Sequence, residues 1–363
     1  MSDTPFECVR VAEVHNHPKA DRLEIVKILG TQVCVQKGSF RPDDEAIYFP
    51  PDMLIPEDIA EELGVKNYLK HSVYPGDLMK SPCRIGAIRL RQIPSVGFLM
   101  PFDEGMRERC QGVEWEEGLD LTSFFRGEKY QPPMRGKLSG DMRSDTSYFP
   151  RYTSIQHYYK YGQRLSPGLP VRITEKIHGT NSRVGLVDGE YMAGTHRTNR
   201  KEFNLRGQRS LYWQPMTTPM QEMLLAIHNE RIEDAAFDSV VVYGEIFGNK
   251  VQQMDYGVNG AMGYRVFDMS VGGEYLDWED VKRYCDYHGI PTVPLLYEGP
   301  FSHELVDELM NGPTTVCGEG EIKCSFKGRE GIVITPLEEQ YAEELQGRLI
   351  LKAVSPDYYA AMK

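Results

Sequence analysis

No run of apolar residues in this chain approaches the roughly 20 needed to cross a bilayer, and its opening, MSDTPFECVRV, has neither a basic nor an apolar leader segment. The expectation is an intracellular protein of the cytoplasm, nucleoid or nucleus, with no membrane partner. Cysteine is sparse and odd in number. Cys8, Cys34, Cys83, Cys110, Cys285, Cys317 and Cys324 make no disulfide framework in a chain of 363 residues, so reduced thiols are expected. Cys285 and His288 share a predicted helix, and Cys317 and Cys324 flank a short Gly-Glu-rich stretch. Cys-x-x-His followed by Cys-x6-Cys is not a usual zinc spacing, and buried apolar thiols are the expectation. His15, His17 and His157 form no metal pattern either. Positive charge is also in deficit: the formal net charge is -12, which argues against a generally basic nucleic-acid-binding surface. A local one is still available. The segment THRTNRKEFNLRGQR carries Arg197, Arg200, Lys201, Arg206 and Arg209 against Glu202 alone. Internal repeats and low-complexity tracts are missing too.

What is present is the composition of a soluble globular protein, 40% hydrophobic and 26% charged, with enough apolar residues for a sizeable core. Single cores stop growing at roughly 250 to 300 residues, so two domains are expected. Residues 1–127 carry short β-type runs punctuated by Gly and Pro: ECVRVAEV, LEIVKIL, TQVCVQK, EAIYFP and CRIGAIRLRQI. Five such strands predict a small barrel, with PEDIAEELG as its one clear helix. Residues 128–147, rich in Pro, Gly, Ser and charge, predict a linker. From residue 148 to 363, runs such as VRITEKI, SRVGLV, EYMAGT, SVVVYGEIF, YRVFDMS, EGIVITP and RLILKAVS alternate with the helical patches MTTPMQEMLLAIHNERI and DWEDVKRYCDYHG. The second patch has Asp277 as N-cap and Gly289 and Pro291 as stop signals. The fold class is α+β, with antiparallel sheets and flanking helices in the second domain.

The informative segment is Glu175-Lys176-Ile177-His178-Gly179-Thr180-Asn181. A lysine with its usual pKa of about 10.4 is a poor nucleophile, so an enzyme that uses one must desolvate it or set another cation beside it. Lys176 ends a strand-like run, and Gly179 supplies a tight turn that lets a phosphate approach the backbone. Taken alone, Lys-x-x-Gly is better explained by a surface lysine before a turn. The ordered series around it carries more. Lys176-Ile-His-Gly-Thr-Asn is followed by Thr195-His196-Arg197, Tyr243-Gly244-Glu245, Phe267-Asp268, Glu330-Gly331-Ile332-Val333-Ile334 and Leu351-Lys352. With this order and approximate spacing the chain resembles the covalent nucleotidyltransferases: ATP-dependent DNA ligases, RNA ligases and mRNA capping enzymes. The first motif looks most like the RNA ligases of the phage RNA ligase 2 and kinetoplastid editing-ligase type.

The resemblance implies roles that each side chain can support. Lys176 would attack the α-phosphorus of ATP, expel pyrophosphate and carry AMP. Glu175 would read the adenine edge and Phe267 would stack on the base. Arg197 and Asn181 would orient phosphates, and Glu245 would accept from the ribose hydroxyls. Lys352 would neutralise charge at the α-phosphate, and Glu330 would hold Mg2+ or Mn2+, through water. Duller readings stand beside some of these: Phe267 as a core aromatic, Glu245 and Glu330 as turn carboxylates, His178 as structural. One departure concerns the last motif, where relatives carry two lysines. Here Ile350 occupies the earlier place, and Arg348 or Lys327 is the candidate replacement.

Ahead of this, Val14-His-Asn-His17-Pro18-Lys19-Ala20-Asp21-Arg22-Leu23-Glu24-Ile25 resembles the opening of tRNA-binding-type OB folds, and Ser95-Val96-Gly97-Phe98 resembles their later Ser-x-Gly strand. Lys19, Arg22, Arg89 and Arg91 are then the expected phosphate contacts, with solvated strand-edge charges as the alternative. An N-terminal OB domain followed by this transferase domain resembles the Deinococcus-type RNA ligases. The chain ends soon after Lys352, leaving no room for the C-terminal OB domain usual in DNA ligases and capping enzymes. The resemblance implies an ATP-dependent ligase that joins 3′-hydroxyl and 5′-phosphate ends in RNA or an RNA-containing nicked duplex. A DNA ligase or other adenylyltransferase, or an inactive RNA-binding protein, is the alternative.

Overall fold

Two-residue hairpins shape the N-terminal part of the chain. In this computed structural model, which describes residues 5–71, 82–130, 140–248, 251–316, 320–345 and 347–362, Leu23–Ile28 pairs with Thr31–Gln36 across Leu29 and Gly30, both at positive φ. Glu13–Asn16 adds a third strand. The run CRIGAIRLRQI, expected as one strand, doubles back: Ala87–Leu90 pairs with Ile93–Val96 across Arg91 and Gln92, at φ 47° and 75°. This mirror-image turn matches strand twist and normally recruits Gly or Asn. With Arg-Gln at the bend the sequence carried no turn signal. ECVRVAEV also divides, into Glu7–Arg10, which pairs with Glu45–Phe49, and Glu13–Asn16, which joins another sheet.

Glu45–Phe49 lies between Glu7–Arg10 and Phe98–Pro101 and feeds two cores, as period-two alternation demands. Ala46 and Tyr48 join Val9, Val26, Ile28 and Val33. Ile47 and Phe49 join Phe6, Met53, Ile55 and Phe125, with Phe49 stacked on Phe98 at 4.4 Å. Gly97 is required here: it sits at φ 70°, and a Cβ would come within 2.2 Å of the Phe49 carbonyl oxygen. Ser95 Oγ accepts from Cys34 N at 3.0 Å, so both members of the Ser-x-Gly pair tie strands together. The expected helix is present as Glu57–Glu62, and a second, Glu104–Arg109, is capped by Asp103, which accepts from Met106 N at 2.9 Å.

The chain divides into two units: residues 1–133 with 156–163 and 353–363, and residues 134–155 with 164–352. Segments 156–163 and 353–363, which the sequence reading gives to the second domain, thus cluster with the first unit, where Asp357 of the helix Pro356–Met362 pairs with Arg89 at 3.3 Å. The expected linker, where described, is structured at both ends. Glu128–Lys129 pairs with Met53–Leu54, and Met142–Arg143 pairs with Asn199–Arg200.

In the first unit Glu7 is buried, with Lys160 at 4.0 Å, and burial pushes its carboxyl up to about 7, with Lys160 opposing and Asp120 assisting. A folded-state pKa above the unfolded value means that the native protein binds the proton more tightly, so stability falls as pH rises from about 4.5 to 7. Glu7→Gln is expected to raise stability by about 1 to 3 kcal/mol at pH 8 and to change little at pH 4.5, read by urea unfolding at the two pH values. An equal effect at both would refute the assignment.

The second unit holds two sheets. One runs, in spatial order, Met142–Arg143, Asn199–Arg200, Glu190–Thr195, Thr180–Val187, Ser239–Phe247, Gly263–Val271 and Glu274–Tyr275. In the other, Pro170–Lys176 lies antiparallel between Leu295–Pro300 and Gly331–Pro336, and Leu351–Val354 borders the last. Leu295–Pro300 escaped the sequence reading because it is an edge strand with no buried residue. The helices Thr218–Arg231 and Trp278–Tyr287 occur where expected and are joined by Arg231, which donates to Tyr284 Oη at 3.0 Å and Asp280 at 2.7 Å. Asp277 stands at the N-cap but its side chain makes no capping bond, while Gly289 ends the helix at φ 64°. Among the described residues no helix is long and apolar enough to cross a membrane.

Candidate active site

The strand Pro170–Lys176 is buried along Val171 to Glu175 and delivers Lys176 at its end, opposite Gly331. Glu330 directly precedes Gly331, and this register sets Lys176 Nζ 2.9 Å from Glu330 Oε1. The chain then turns through Ile177–Gly179 into Thr180–Val187, whose Asn181 lies opposite Glu245. Gly179 has a steric reason beyond its turn. A Cβ there would lie 2.2 Å from the Ile246 carbonyl oxygen and 2.9 Å from Glu245 Cγ, so only glycine lets the turn pass this close. The Gly179 amide also bonds the Glu245 carboxyl. His178 is held by its own amide, which donates to Tyr256 Oη at 2.7 Å, and its Nδ1 lies 4.0 Å from Glu330.

Two carboxylates thus surround one amine. Burial pushes the Lys176 pKa down, but Glu330 and Glu245 push it up by more, leaving it above the usual lysine value. This corrects the expectation of an amine kept neutral by desolvation or a neighbouring cation: without bound nucleotide, Lys176 is an ammonium. Burial raises Glu245 to about 8, with Lys176 opposing and Glu330 assisting. Below that pH Glu245 holds its proton, and Glu330 is the carboxylate paired with the amine, its oxygens suited to a divalent cation. Asn181 Oδ1 is buried without a hydrogen-bond partner, an opening for a ligand donor.

Phe267 is set by a β-bulge. Tyr243 pairs with Asp268 but Gly244 with Val266, so Phe267 is the extra residue on its strand, released from the ladder. It packs edge-on against Tyr152 at 4.8 Å, and Tyr152 Oη donates to Asp268 at 2.9 Å. Asp268 also accepts from Arg348 at 2.7 Å. Arg348 further bonds Glu339 at 2.7 Å and lies 3.7 Å above the Tyr275 ring, so it is committed here and does not replace the missing lysine. Lys327 lies in an exposed pair with Glu321 at 3.7 Å. Lys352 sits in the strand bordering Gly331–Pro336, two strands from Lys176.

The Glu175 carboxylate is buried and accepts from Thr314 Oγ1, from Thr315 N at 2.7 Å and from Thr315 Oγ1 at 2.6 Å, so its side chain braces the segment 314–315 against the strand. Arg197 is exposed in the turn after Glu190–Thr195, its amide bonded to Thr195 Oγ1 at 3.0 Å. Thr195 pairs with Ser182, next to Asn181. Tyr152, Tyr256, Thr314 and Thr315, which brace these groups, had no local signal because they come from sequence-distant segments.

In the first unit, His17 Nε2 bonds the Leu90 carbonyl at 3.1 Å, and Lys19 Nζ donates to the Gln92 side chain. Lys19 and Arg91 are thereby brought together, both exposed; Arg22 is exposed on a separate turn, and Arg89 pairs with Asp357. Of the Cys-His grouping, Cys285 is fully buried, with burial pushing its thiol up to about 12, Cys324 is half-buried, and Cys317 lies outside the described residues. No group of three or more His, Cys, Asp or Glu able to hold a metal occurs among the described residues.

Comparison with known proteins agrees with this architecture. A profile described as an OB-fold domain matches residues 7–102, and the RNA ligase profile matches residues 169–354. A search of curated protein sequences finds no match. Among solved structures, an apo mutant of an RNA ligase from Naegleria gruberi is similar with a TM-score of 0.73 and 19% identity over 99% of this chain and 98% of that one. A lysine-to-alanine mutant of the Naegleria enzyme with ATP and Mn gives 0.73 and 19% over 98% of both chains, and the enzyme with PPi gives 0.70 and 20% over 98% of both. At such identity the likeness is one of fold: an OB-fold domain followed by a sheet-rich nucleotidyltransferase domain. The RNA ligase profile spans just over half of the 363 residues and takes in Lys176, Glu245, Glu330 and Lys352, and by that match the chain belongs to the RNA ligase family.

Proposed function

We propose that this RNA ligase uses ATP and works through a covalent AMP on Lys176. The observation that carries the reading is the Lys176 amine, 2.9 Å from Glu330 at a strand end, with Glu245 and Asn181 on the neighbouring strands. The Naegleria ligase structures with ATP and Mn, and with AMP and Mn, support the same ligands here. Lys176 Nζ attacks the α-phosphorus and pyrophosphate leaves. AMP passes to a 5′-phosphate end, and a 3′-hydroxyl attacks that end and releases AMP.

Each residue has a task in that sequence. Glu330 would offer oxygens to Mg2+ or Mn2+, which when bound would offset carboxylate and phosphate charge. Lys176 must lose its proton before it attacks, and once a cation offset the charge of Glu330 the amine would give that proton to solvent more readily. Asn181 and Arg197 orient phosphates, Glu245 accepts from the ribose, and Phe267, released by its bulge and backed by Tyr152, stacks on the base. Lys352 faces charge building at the α-phosphate. Glu175 acts through the segment 314–315, keeping its strand and Lys176 in place.

The substrate reading is a nick in a duplex whose 3′-hydroxyl end is RNA, as in the Deinococcus-type ligases, with Lys19, Arg22, Arg89 and Arg91 meeting backbone phosphates. Purified protein given ATP and Mg2+ or Mn2+ is expected to gain the mass of one AMP, mapped by peptide analysis to Lys176, and to gain none in EDTA. On nicked duplexes it should seal RNA 3′-hydroxyl ends in preference to DNA ones. No covalent AMP, or AMP on another residue, would refute the lysine reading; equal sealing of both nicks would refute the substrate reading.

A further inference from the structure

The segment Arg200–Arg209 takes no part in the nucleotide site, yet it is a built element. Its stem, Asn199–Arg200, is sandwiched between Met142–Arg143 and Glu190–Thr195. A bridge between Phe203 and Arg209 closes the loop. Inside it, Asn204 Oδ1 accepts from Arg206 N at 2.9 Å and Gln208 N at 3.0 Å, Asn204 Nδ2 donates to Gln208 Oε1 at 3.0 Å, and Gly207 turns at φ 70° to donate to the Asn204 carbonyl. A loop with this many internal bonds is preorganised, and it presents Phe203 51% exposed and Leu205 84% exposed at its tip.

Apolar side chains on a bonded loop, open to water, point to a ligand with an apolar face. The charge beside them says which. Arg200 and Arg209 are paired with Asp141 and Glu202, whereas Lys201 and Arg206 are exposed and enter no ion pair among the described residues. In a chain of net charge -12, two uncompensated cations flanking an aromatic ring suit a polyanion with stacking faces. The stem also leads to the catalytic turn. Trp213 Nε1 donates to the Arg200 carbonyl at 2.9 Å, and its neighbour Tyr212 bonds through its hydroxyl to Thr180 Oγ1 at 3.1 Å, beside Gly179.

We infer that this hairpin is a stacking platform for the RNA strand being sealed, with Phe203 taking the face of a base and Lys201 and Arg206 the adjoining phosphates. The inference rests on the RNA reading of the site but not on its covalent chemistry. Its test therefore uses binding without ATP: the full-length protein titrated into a fluorescent, 5′-phosphorylated nicked RNA duplex, read by anisotropy across a salt series. Phe203→Ala is expected to weaken binding about tenfold with an unchanged salt slope, and Phe203→Trp to restore it. Arg206→Ala should weaken binding and lower the slope of log K against log salt by about 0.7 to 0.9. Circular dichroism melting of each variant checks the fold; if Phe203→Ala unfolds, Phe203→Leu, which keeps bulk but loses the flat ring, takes its place. Affinity within twofold of wild type in the folded Phe203 and Arg206 variants overturns the platform, as does loss that Trp fails to restore. Failure of the lysine reading is a different result, the absence of AMP on the wild-type protein.

Discussion

Lys176→Ala is expected to abolish covalent AMP and to lower overall sealing from ATP by about 10⁴-fold or more, the scale on which removal of a covalent nucleophile acts. The side chain is not a packing element, being 25% exposed at a strand end, so the variant should fold. Removing the ammonium leaves Glu330 and Glu245 facing each other, and the Glu245 carboxyl, already at about 8, should rise further because Lys176 is what holds it down. The decisive comparison supplies a nick whose 5′-phosphate already carries AMP. Sealing that nick needs no lysine nucleophile, so Lys176→Ala should retain activity there within about tenfold of wild type. If both reactions are lost in a variant that melts like wild type, Lys176 is doing something other than carrying AMP.

For Glu330→Gln two effects of opposite sign are expected. Wild-type Lys176 lies above the usual lysine pKa because Glu330 and Glu245 outweigh burial, so removing the nearer carboxylate lets burial draw the pKa down. At any pH below that value more amine is neutral, and Lys176 should react faster with an amine-selective acylating reagent in metal-free buffer. Adenylylation from ATP should nonetheless fall about 100-fold, because the oxygens offered to the cation are gone. Circular dichroism melting must match wild type, because unfolding would also open the amine to the reagent and abolish adenylylation. In the wild type, kcat/KM for adenylylation should climb as pH passes through about 8, where Glu245 ionises and becomes the acceptor a ribose needs. A flat profile from pH 6 to 9 would remove Glu245 from that role.

Pro170–Lys176, Thr180–Val187, Ser239–Phe247 and Leu351–Val354 could be read along the chain because each is a run of alternating or largely apolar residues. The ordered motifs carried Lys176, Glu245 and Glu330, which the fold brings around one amine. What failed to show were features without a compositional mark. The Arg91-Gln92 turn uses residues that do not favour positive φ, and the edge strand Leu295–Pro300 has no apolar period because nothing covers it. Arg348, which looked available from its position, is claimed by Asp268 and Glu339.

The amino-acid order alone determined most of the sheet-forming segments and the family, since those depend on side-chain type and local period. Only the tertiary structure decided the state of the site: that Lys176 meets two carboxylates and rests charged, that the Glu175 carboxylate is spent on Thr314 and Thr315, and that a bulge frees Phe267. The reason is that a pKa, a free hydrogen-bonding atom and a register shift are properties of what surrounds a residue. Those surroundings come from segments distant in the chain, Thr314 lying 139 positions from Glu175.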